Sequence, residues 1–335
     1  MVQHSTHVSL KMILSIVAIV IGLILLVWSA DRFVDGAVGV AQFFGMSTFL
    51  IGMLVVGFGT SAPEMVVSVL SALNNTPQLA LGNAYGSNIA NIALILGVTA
   101  LIIPVVVQKQ AMKRDIPILL AMTVLTVILL MDGNVSFVDG IILLAAFVAI
   151  TIFNVLAELR EKRKRKQNEE EQPEKVSIVK AIAWLLVGLA ILIISSRMLV
   201  WGAINVAQAL GVSDLLIGLT IVAVGTSLPE LASSIAAARR GENDLAVGNV
   251  IGSNIFNTLV VVGIAAVITP IKAMEPDVLS RDLPIMSALT LLLFFICIPF
   301  KKKNGKRVSG FGRIGGALFL SLYVAYLVLL GVTTV

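Results

Sequence analysis

The sequence predicts an all-α membrane protein of ten transmembrane helices, built as two inverted five-helix repeats. Three observations predict it: an apolar composition, ten apolar runs of membrane-spanning length, and a 39-residue block that recurs at one fixed offset. Of the 335 residues, 58% are hydrophobic and 13% charged, against about 45–50% and about 25% in soluble domains. Most of the surface must therefore face lipid, and the bilayer is the one partner this composition implies. The pI of about 9.4 does not point to nucleic acid, because the basic residues follow the membrane boundaries. No obligate protein partner is evident.

Apolar runs of about 20 residues lie near 12–30, 47–73, 79–106, 116–131 and 136–157, and again near 178–198, 213–239, 244–271, 280–299 and 312–334. Residues 1–157 thus form the first repeat, 158–177 a linker and 178–335 the second repeat. The first run has features of a secretory signal, with Lys11 before the core and Trp28-Ser29-Ala30 after it. Its length and its internal counterpart at 178–198 make it a membrane helix instead. The linker, LREKRKRKQNEEEQPEK, carries basic and then acidic blocks without apolar periodicity and reads as solvated cytoplasmic chain. His4 and His7 read as a solvated tail, Cys297 as a packing residue without a disulfide partner, and Trp28, Trp184 and Trp201 as interfacial anchors.

With the N-terminus outside and one crossing per run, 20 of the 24 Lys and Arg residues fall on the inner side, leaving Lys11, Arg197, Lys272 and Arg281 outside. This bias places both termini outside. The chain shows no eukaryotic targeting segment or large regulatory loop, which suggests a prokaryotic inner membrane.

The repeat pairs Gly59–Gly97 with Gly225–Gly263 without gaps, at an offset of 166, with 17 of 39 positions identical. The same offset continues upstream through Gly36/Gly202, Ala41/Ala207, Gln42/Gln208, Gly45/Gly211, Ser47/Ser213 and Gly52/Gly218. Five crossings per copy is an odd number, so the second copy enters from the opposite side, the arrangement of transporters that alternate access around a midplane site.

Within the apolar interiors only Glu64 and Glu230 are ionisable, and they are repeat mates. An acid at mid-bilayer costs on the order of 3 kcal/mol, and a bound cation would compensate for two of them. Pro63 and Pro229 precede these acids; proline lacks an N–H, so both helices should break and release the carbonyls of Gly59 and Gly225. Those carbonyls, with the hydroxyls of Thr60, Ser61, Thr226 and Ser227, supply the oxygens that a hard cation requires, and the summed charge of −2 matches one Ca²⁺. Ordinary proline kinks with back-bonded hydroxyls are the simpler account; the duplication at one offset, each copy ending in a buried acid, weighs against it. In GNAYGSNIAN and GNVIGSNIFN, Ser87, Asn91, Ser253 and Asn257 are candidate ligands one turn apart. Asn83, Asn88, Asn249 and Asn254 are divided between ligation and interhelical hydrogen bonding.

With these motifs, GTSAPE and GTSLPE together with the two GN..GSNI.N segments, the chain resembles the sodium/calcium exchanger family. The resemblance implies an antiporter that expels Ca²⁺ by admitting several Na⁺, commonly three, through four clustered sites. It implies that Glu64 and Glu230 are shared ligands, that Thr60, Ser61, Ser87, Thr226, Ser227 and Ser253 complete Na⁺ sites, and that Asn91 and Asn257 line the centre. Some relatives carry aspartate where this chain has Asn257, and that acid accompanies K⁺ co-transport, so K⁺ dependence is not expected. The first helix of each repeat resembles the pair thought to slide during access switching. No cofactor and no enzymatic activity are implied, and the sequence shows no nucleophile–base pair or cofactor loop. The residues themselves leave two rivals open: a Ca²⁺/H⁺ antiporter, since a buried carboxylate also takes a proton, and a passive cation channel, against which the inverted repeats argue.

Overall fold

A computed structural model describes residues 2–108, 110–168, 177–212, 221, 223–298, 300–301 and 307–333. The helices are α1 (Val2–Phe44), α2 (Thr48–Thr60), α3 (Ala62–Leu73), α4 (Gln78–Ile102), α5 (Ile116–Leu130) and α6 (Phe137–Asn168). In the second half they are α7 (Ile178–Ala209), α8 (Ala223–Thr226), α9 (Leu228–Arg239), α10 (Asn243–Ile268), α11 (Val278–Ile296) and α12 (Arg313–Thr333). Among the described residues seven helices are long and apolar enough to cross a membrane, or eight if the bent pair α2 and α3 is one span. Of the other expected runs, 116–131 is the shorter α5, and that at 213–239 has residues 213–220 and 222 outside the described residues, leaving α8 and α9.

The core lies in α4 and α10, whose central windows are 78% and 83% buried against 28% for α1 and 17% for α6. Around them the outer helices turn apolar faces such as Ile24, Ile128, Phe153 and Leu186 outward, as lipid-facing helices do. One departure from an all-α fold is a small antiparallel sheet of order β1-β3-β2, with β1 (Val105–Val107), β2 (Phe300–Lys301) and β3 (Arg307–Phe311). Val105 pairs with Phe311 and Phe300 with Val308. Three consecutive valines favour the extended chain over the helical end expected to reach residue 106.

Further expectations need correction. Helix α1 does not end near residue 30 but continues through Asp31, Arg32 and Asp35 to Phe44. Its charges are paired along and across the helix, Arg32 with Asp35 at 3.1 Å and Asp31 and Asp35 with Arg240, so they do not terminate it. The apolar span Lys11–Phe44 is 34 residues, about 51 Å at 1.5 Å per residue, and exceeds the roughly 30 Å hydrocarbon layer. His4 and His7, read as a tail, lie in this helix, and their side chains are outside the described ones. Trp28 and Trp184, read as interfacial anchors, also touch each other edge to face at 6.2 Å, and both rings flank the Arg32 guanidinium.

The charged linker begins as helix. Helix α6 runs to Asn168, and Glu158 is buried where it accepts hydrogen bonds from the Ser47 amide at 2.8 Å and hydroxyl at 3.0 Å. Capping the start of α2 explains why this acid is not solvated. Buried acids also number more than two: Asp115 pairs with Arg114 at 3.0 Å and Asp282 with Arg281 at 2.8 Å. Each of these three has a partner at a helix end.

Helices α1 and α7 pack along their length through repeat-related glycines. A Cβ added at Gly36 would lie 2.3 Å from the Leu185 nitrogen, and one at Gly202 would lie 2.6 Å from the Ser15 carbonyl oxygen. Small residues at such a seam let backbones touch. Gly36→Ala and Gly202→Ala each overpack it by about 1–3 kcal/mol. Each is expected to lower the melting temperature of the detergent-purified protein by about 3–10 °C, whereas Gly312→Ala, with open space around it, leaves it unchanged; equal melting of all three would refute the seam.

Candidate cation site

Helices α2 and α3 meet at Ser61 with a bend of 46°. Ser61 adopts φ −84° and ψ 3°, and its repeat mate Ser227, between α8 and α9, adopts φ −93° and ψ 8°. Pro63 and Pro229 occupy the second positions of α3 and α9, where a missing N–H is tolerated. The expected breaks are therefore present at both copies, and each places its glutamate in the first turn of a new helix, where the positive end of the helix dipole favours an anion. The expected release of both glycine carbonyls is only partly realised. The Gly225 carbonyl accepts a hydrogen bond from Ser196 of α7 at 3.0 Å, and the Ser61 amide is directed at the Gly59 and Gly57 carbonyls. Each oxygen retains a second lone pair.

Helices α4 and α10 switch from α to π hydrogen bonding over Ala90–Ile95 and Phe256–Val261, two six-residue segments one repeat offset apart. Such bulges concentrate at functional sites, and Asn91 and Asn257 are the second residue of each. A Cβ on Gly252 would lie 2.2 Å from the Met53 carbonyl oxygen, so α10 lies directly against the first half of α2. This approach brings Thr60 to the Asn249 carbonyl oxygen at 3.1 Å and to the Ser253 hydroxyl at 3.5 Å. Asn249 in turn donates to the Glu230 carbonyl at 3.3 Å and to the Ser233 and Ser234 hydroxyls at 3.1 and 2.9 Å. Asn91 donates to the Asn254 carbonyl oxygen at 3.0 Å, and Asn88 to the Thr258 hydroxyl at 2.7 Å. Of the asparagines left open by the sequence, Asn88, Asn249 and Asn254 thus act in interhelical hydrogen bonds, Asn83 shows none among the described residues, and the Asn91 amide is turned so that its own oxygen stays unbonded.

Glu64 and Glu230 are each 1% exposed and lie within electrostatic reach of one another, with the Thr60 and Ser61 hydroxyls beside the Glu230 carboxylate. Among the described residues, one carboxylate oxygen of each glutamate lacks a hydrogen-bond partner, as do the Ser61 and Ser227 hydroxyls and the Asn91 and Asn257 carbonyl oxygens. Other buried atoms are also unpaired, including those of Tyr85, Thr99 and Thr126, but none of those is matched at its repeat mate. Among the described residues only these three pairs are orphaned twice. An unsatisfied buried polar group costs about 1–3 kcal/mol, and a cation satisfies several oxygens at once. Ser87 is buried on α4, and Thr226 is half-buried at the end of α8. Sequence reasoning passed over Ser68, whose hydroxyl donates at 2.6 Å to the Val261 carbonyl at the end of the second π segment, and Ser196. Ser68 and Ser234 are identical repeat positions one turn past each glutamate, a signal that was present.

A polytopic helical protein with two acids buried at duplicated helix breaks, amid oxygens and, among the described residues, with no cluster of His or Cys beside them, is a membrane cation transporter in class. The chain belongs to the sodium/calcium exchanger family: the family profile described as sodium/calcium exchanger protein matches residues 14–156 and 180–332. It is 40% identical over 325 residues, 95% of this chain and 99% of the relative, to a putative antiporter CaxA of Alkalimonas amylolytica. It is also 40% identical over 303 residues, 89% of this chain and 93% of the relative, to the inner membrane protein YrbG of Escherichia coli strain K12. A solved structure of the sodium-calcium exchanger NCX_Mj, soaked with Na⁺ and Sr²⁺, superimposes with a TM-score of 0.78 at 33% identity, covering 94% of this chain and 97% of the other. The fold is thus that of a multi-pass exchanger with prokaryotic inner-membrane relatives.

The hydrogen bonding of Asn249 and Asn83 is unequal, since the Asn83 amide nitrogen has no partner among the described residues. Asn249→Leu should destabilise the protein by about 2–4 kcal/mol, several buried partners being left unpaired, and Asn83→Leu by less than about 1 kcal/mol. Chemical denaturation in detergent measures both, and the reverse ranking would contradict the network.

Proposed function

We propose that this chain is a secondary antiporter that exchanges Ca²⁺ for Na⁺ by alternating access, with Glu64 and Glu230 as ligands shared by both ions. Around them, Thr60, Ser61, Ser87, Asn91, Thr226, Ser227, Ser253 and Asn257, with the carbonyls of Gly59 and Gly225, complete the coordination. The observation that carries this reading is the duplicated set of orphaned oxygens. Three repeat-related pairs of buried oxygens lack hydrogen-bond partners among the described residues, and two of the six belong to carboxylates, a set that one bound cation would satisfy together. Calcium takes six to eight oxygens at 2.3–2.6 Å, carboxylate and neutral alike, which suits this donor set.

Because Ca²⁺ and Na⁺ use the same carboxylates, occupancy by one excludes the other, and the two negative charges must be neutralised before the site can cross between faces. The two five-helix repeats are read as inverted, with both termini outside and the inner side facing the cytoplasm of a prokaryotic cell. Extrusion of Ca²⁺ against three entering Na⁺ moves one net charge inward and draws about 2.3 kcal/mol from each 100 mV of membrane potential.

Proteoliposomes loaded with Na⁺ should take up radiolabelled Ca²⁺, and uptake should collapse when the Na⁺ gradient is removed. Uptake driven equally well by an imposed pH gradient would transfer the reading to a Ca²⁺/H⁺ antiporter. Uptake that needs no counter-ion would make the protein a channel. Glu64→Gln and Glu230→Gln keep the shape and remove the charge. Each should reduce exchange by at least about 100-fold with no change in membrane insertion or size-exclusion profile, and normal exchange by either would exclude that residue from the site.

A further inference from the structure

The chain carries an ion-pair latch on one face that the repeat does not reproduce on the other. Arg240, at the turn between α9 and α10, reaches across to α1. Its guanidinium contacts the Asp35 carboxylate through two nitrogens, one close and one at 3.5 Å, and Asp31 lies 3.5 Å from its Nε. Asp35 also accepts from Arg32 at 3.1 Å, and Arg32 is held between Trp28 on α1 and Trp184 on α7, 6.0 and 5.2 Å from the ring centres. The chain of contacts thus runs from the α9–α10 turn through α1 to α7.

The latch borders a crevice. A cavity of about 740 Å³ lies between the same three elements, lined by Arg32, Asp35, Lys180, Trp184, Arg240 and Glu242 among others. Beside it α1 also packs apolar residues such as Ala37, Val40 and Ala41 in one buried cluster with Ala236–Ala238 of α9 and Leu245 and Ala246 of α10, so the ion pair sits at the rim of a packed contact. The seam of α1 with α7, through Gly36 and Gly202, is by contrast backbone against backbone. A half-exposed ion pair contributes little to global stability, but it can bias a small difference between two conformations.

The repeat offset supplies an internal control. The positions matching Arg240, Asp31 and Asp35 are Asn74, Arg197 and Trp201, which cannot form an ion pair. Two pseudo-symmetric halves would otherwise open either face at similar cost.

We propose that Arg240, with Asp31 and Asp35, is a one-sided latch that holds the face bearing the α9–α10 turn closed and so sets the resting balance between the two access states. On the topology proposed above, that face is cytoplasmic. The inference rests on the alternating-access reading for its transport consequence but not for its structural one. The test therefore measures both, using hydrogen–deuterium exchange on the full chain in nanodiscs and Ca²⁺ uptake in proteoliposomes of known orientation.

Arg240→Gln and the double variant Asp31→Asn/Asp35→Asn should speed amide exchange about three- to five-fold at Val40–Phe44 and Ala238–Asn243, consistent with a partly exposed pair, while Ile251–Ile255 stays unchanged. Arg240→Lys should keep most of the protection. The ratio of half-saturating Ca²⁺ concentrations on the two faces should shift by a similar factor in the two charge-removing variants. Wild-type exchange in both of them overturns the latch. Faster exchange in Arg240→Lys equal to that in Arg240→Gln also overturns it, because the side chain's bulk and not its charge would then hold the turn. If the amides respond as expected while no variant, nor the wild type, transports Ca²⁺, the latch stands and the exchanger reading fails.

Discussion

A carboxylate removed from water has to be answered by other charge or by donors, and the rest of this structure is arranged around two that are not. Glu158, Asp115 and Asp282 are equally deep in protein, yet each has found its answer in a helix N-terminus or an adjoining arginine. Glu64 and Glu230 also stand in the first turn of a helix, yet among the described residues one oxygen of each carboxylate stays without a partner, and the positions beside them offer more oxygen. The helix breaks at Ser61 and Ser227, the π segments of α4 and α10, and the hydrogen bonds that turn the Asn91 amide all act in the same sense: they leave lone pairs facing inward. Such a surplus is costly to bury until a cation or a proton supplies what is missing.

The oxygen set is assembled by backbone devices more than by side-chain reach. Proline removes an N–H at one helix break in each half, and the six-residue π segments shift hydrogen bonding at Asn91 and Asn257. Gly252 lets α10 lie against α2 closely enough for Thr60 to meet Asn249 and Ser253. Hydrogen bonding then freezes the surrounding amides. For the proposed ligands this is preorganisation: their orientation is fixed by neighbouring groups, so binding would not have to order them.

How much of this was legible depended on whether the controlling interaction was local. The breaks at Ser61 and Ser227 could be read because proline acts on its own turn and the repeat showed it twice. The acids could be read because lipid-depth charge is conspicuous against an apolar background. The length of α1 could not, since Asp31, Arg32 and Asp35 look like the end of a span until Arg240, more than 200 positions later, is seen to pair with them. Glu158 was misplaced for the same reason: its partner is Ser47, on another helix. The π segments leave no compositional trace, and Ser196 has no repeat mate to draw attention to it, its counterpart being Ala30.

These last cases define what the duplication does and does not impose. Repetition preserves the residues proposed as ligands: the glutamates, the serines of the breaks and the asparagines of the π segments. It does not preserve the supports. Asn249 is bonded to Ser233 and Ser234, whereas the position matching Ser233 is Val67; Ser196 holds the Gly225 carbonyl, whereas nothing equivalent can reach Gly59 from Ala30; Glu158 caps the start of α2, whereas its counterpart is Val324. Two halves that were identical throughout would give conformations of equal energy when inverted onto one another. On the alternating-access reading proposed above, unequal supports around equal ligands would remove that degeneracy without altering the chemistry of the site, so that ion affinity and the preference for one face would be set by different residues.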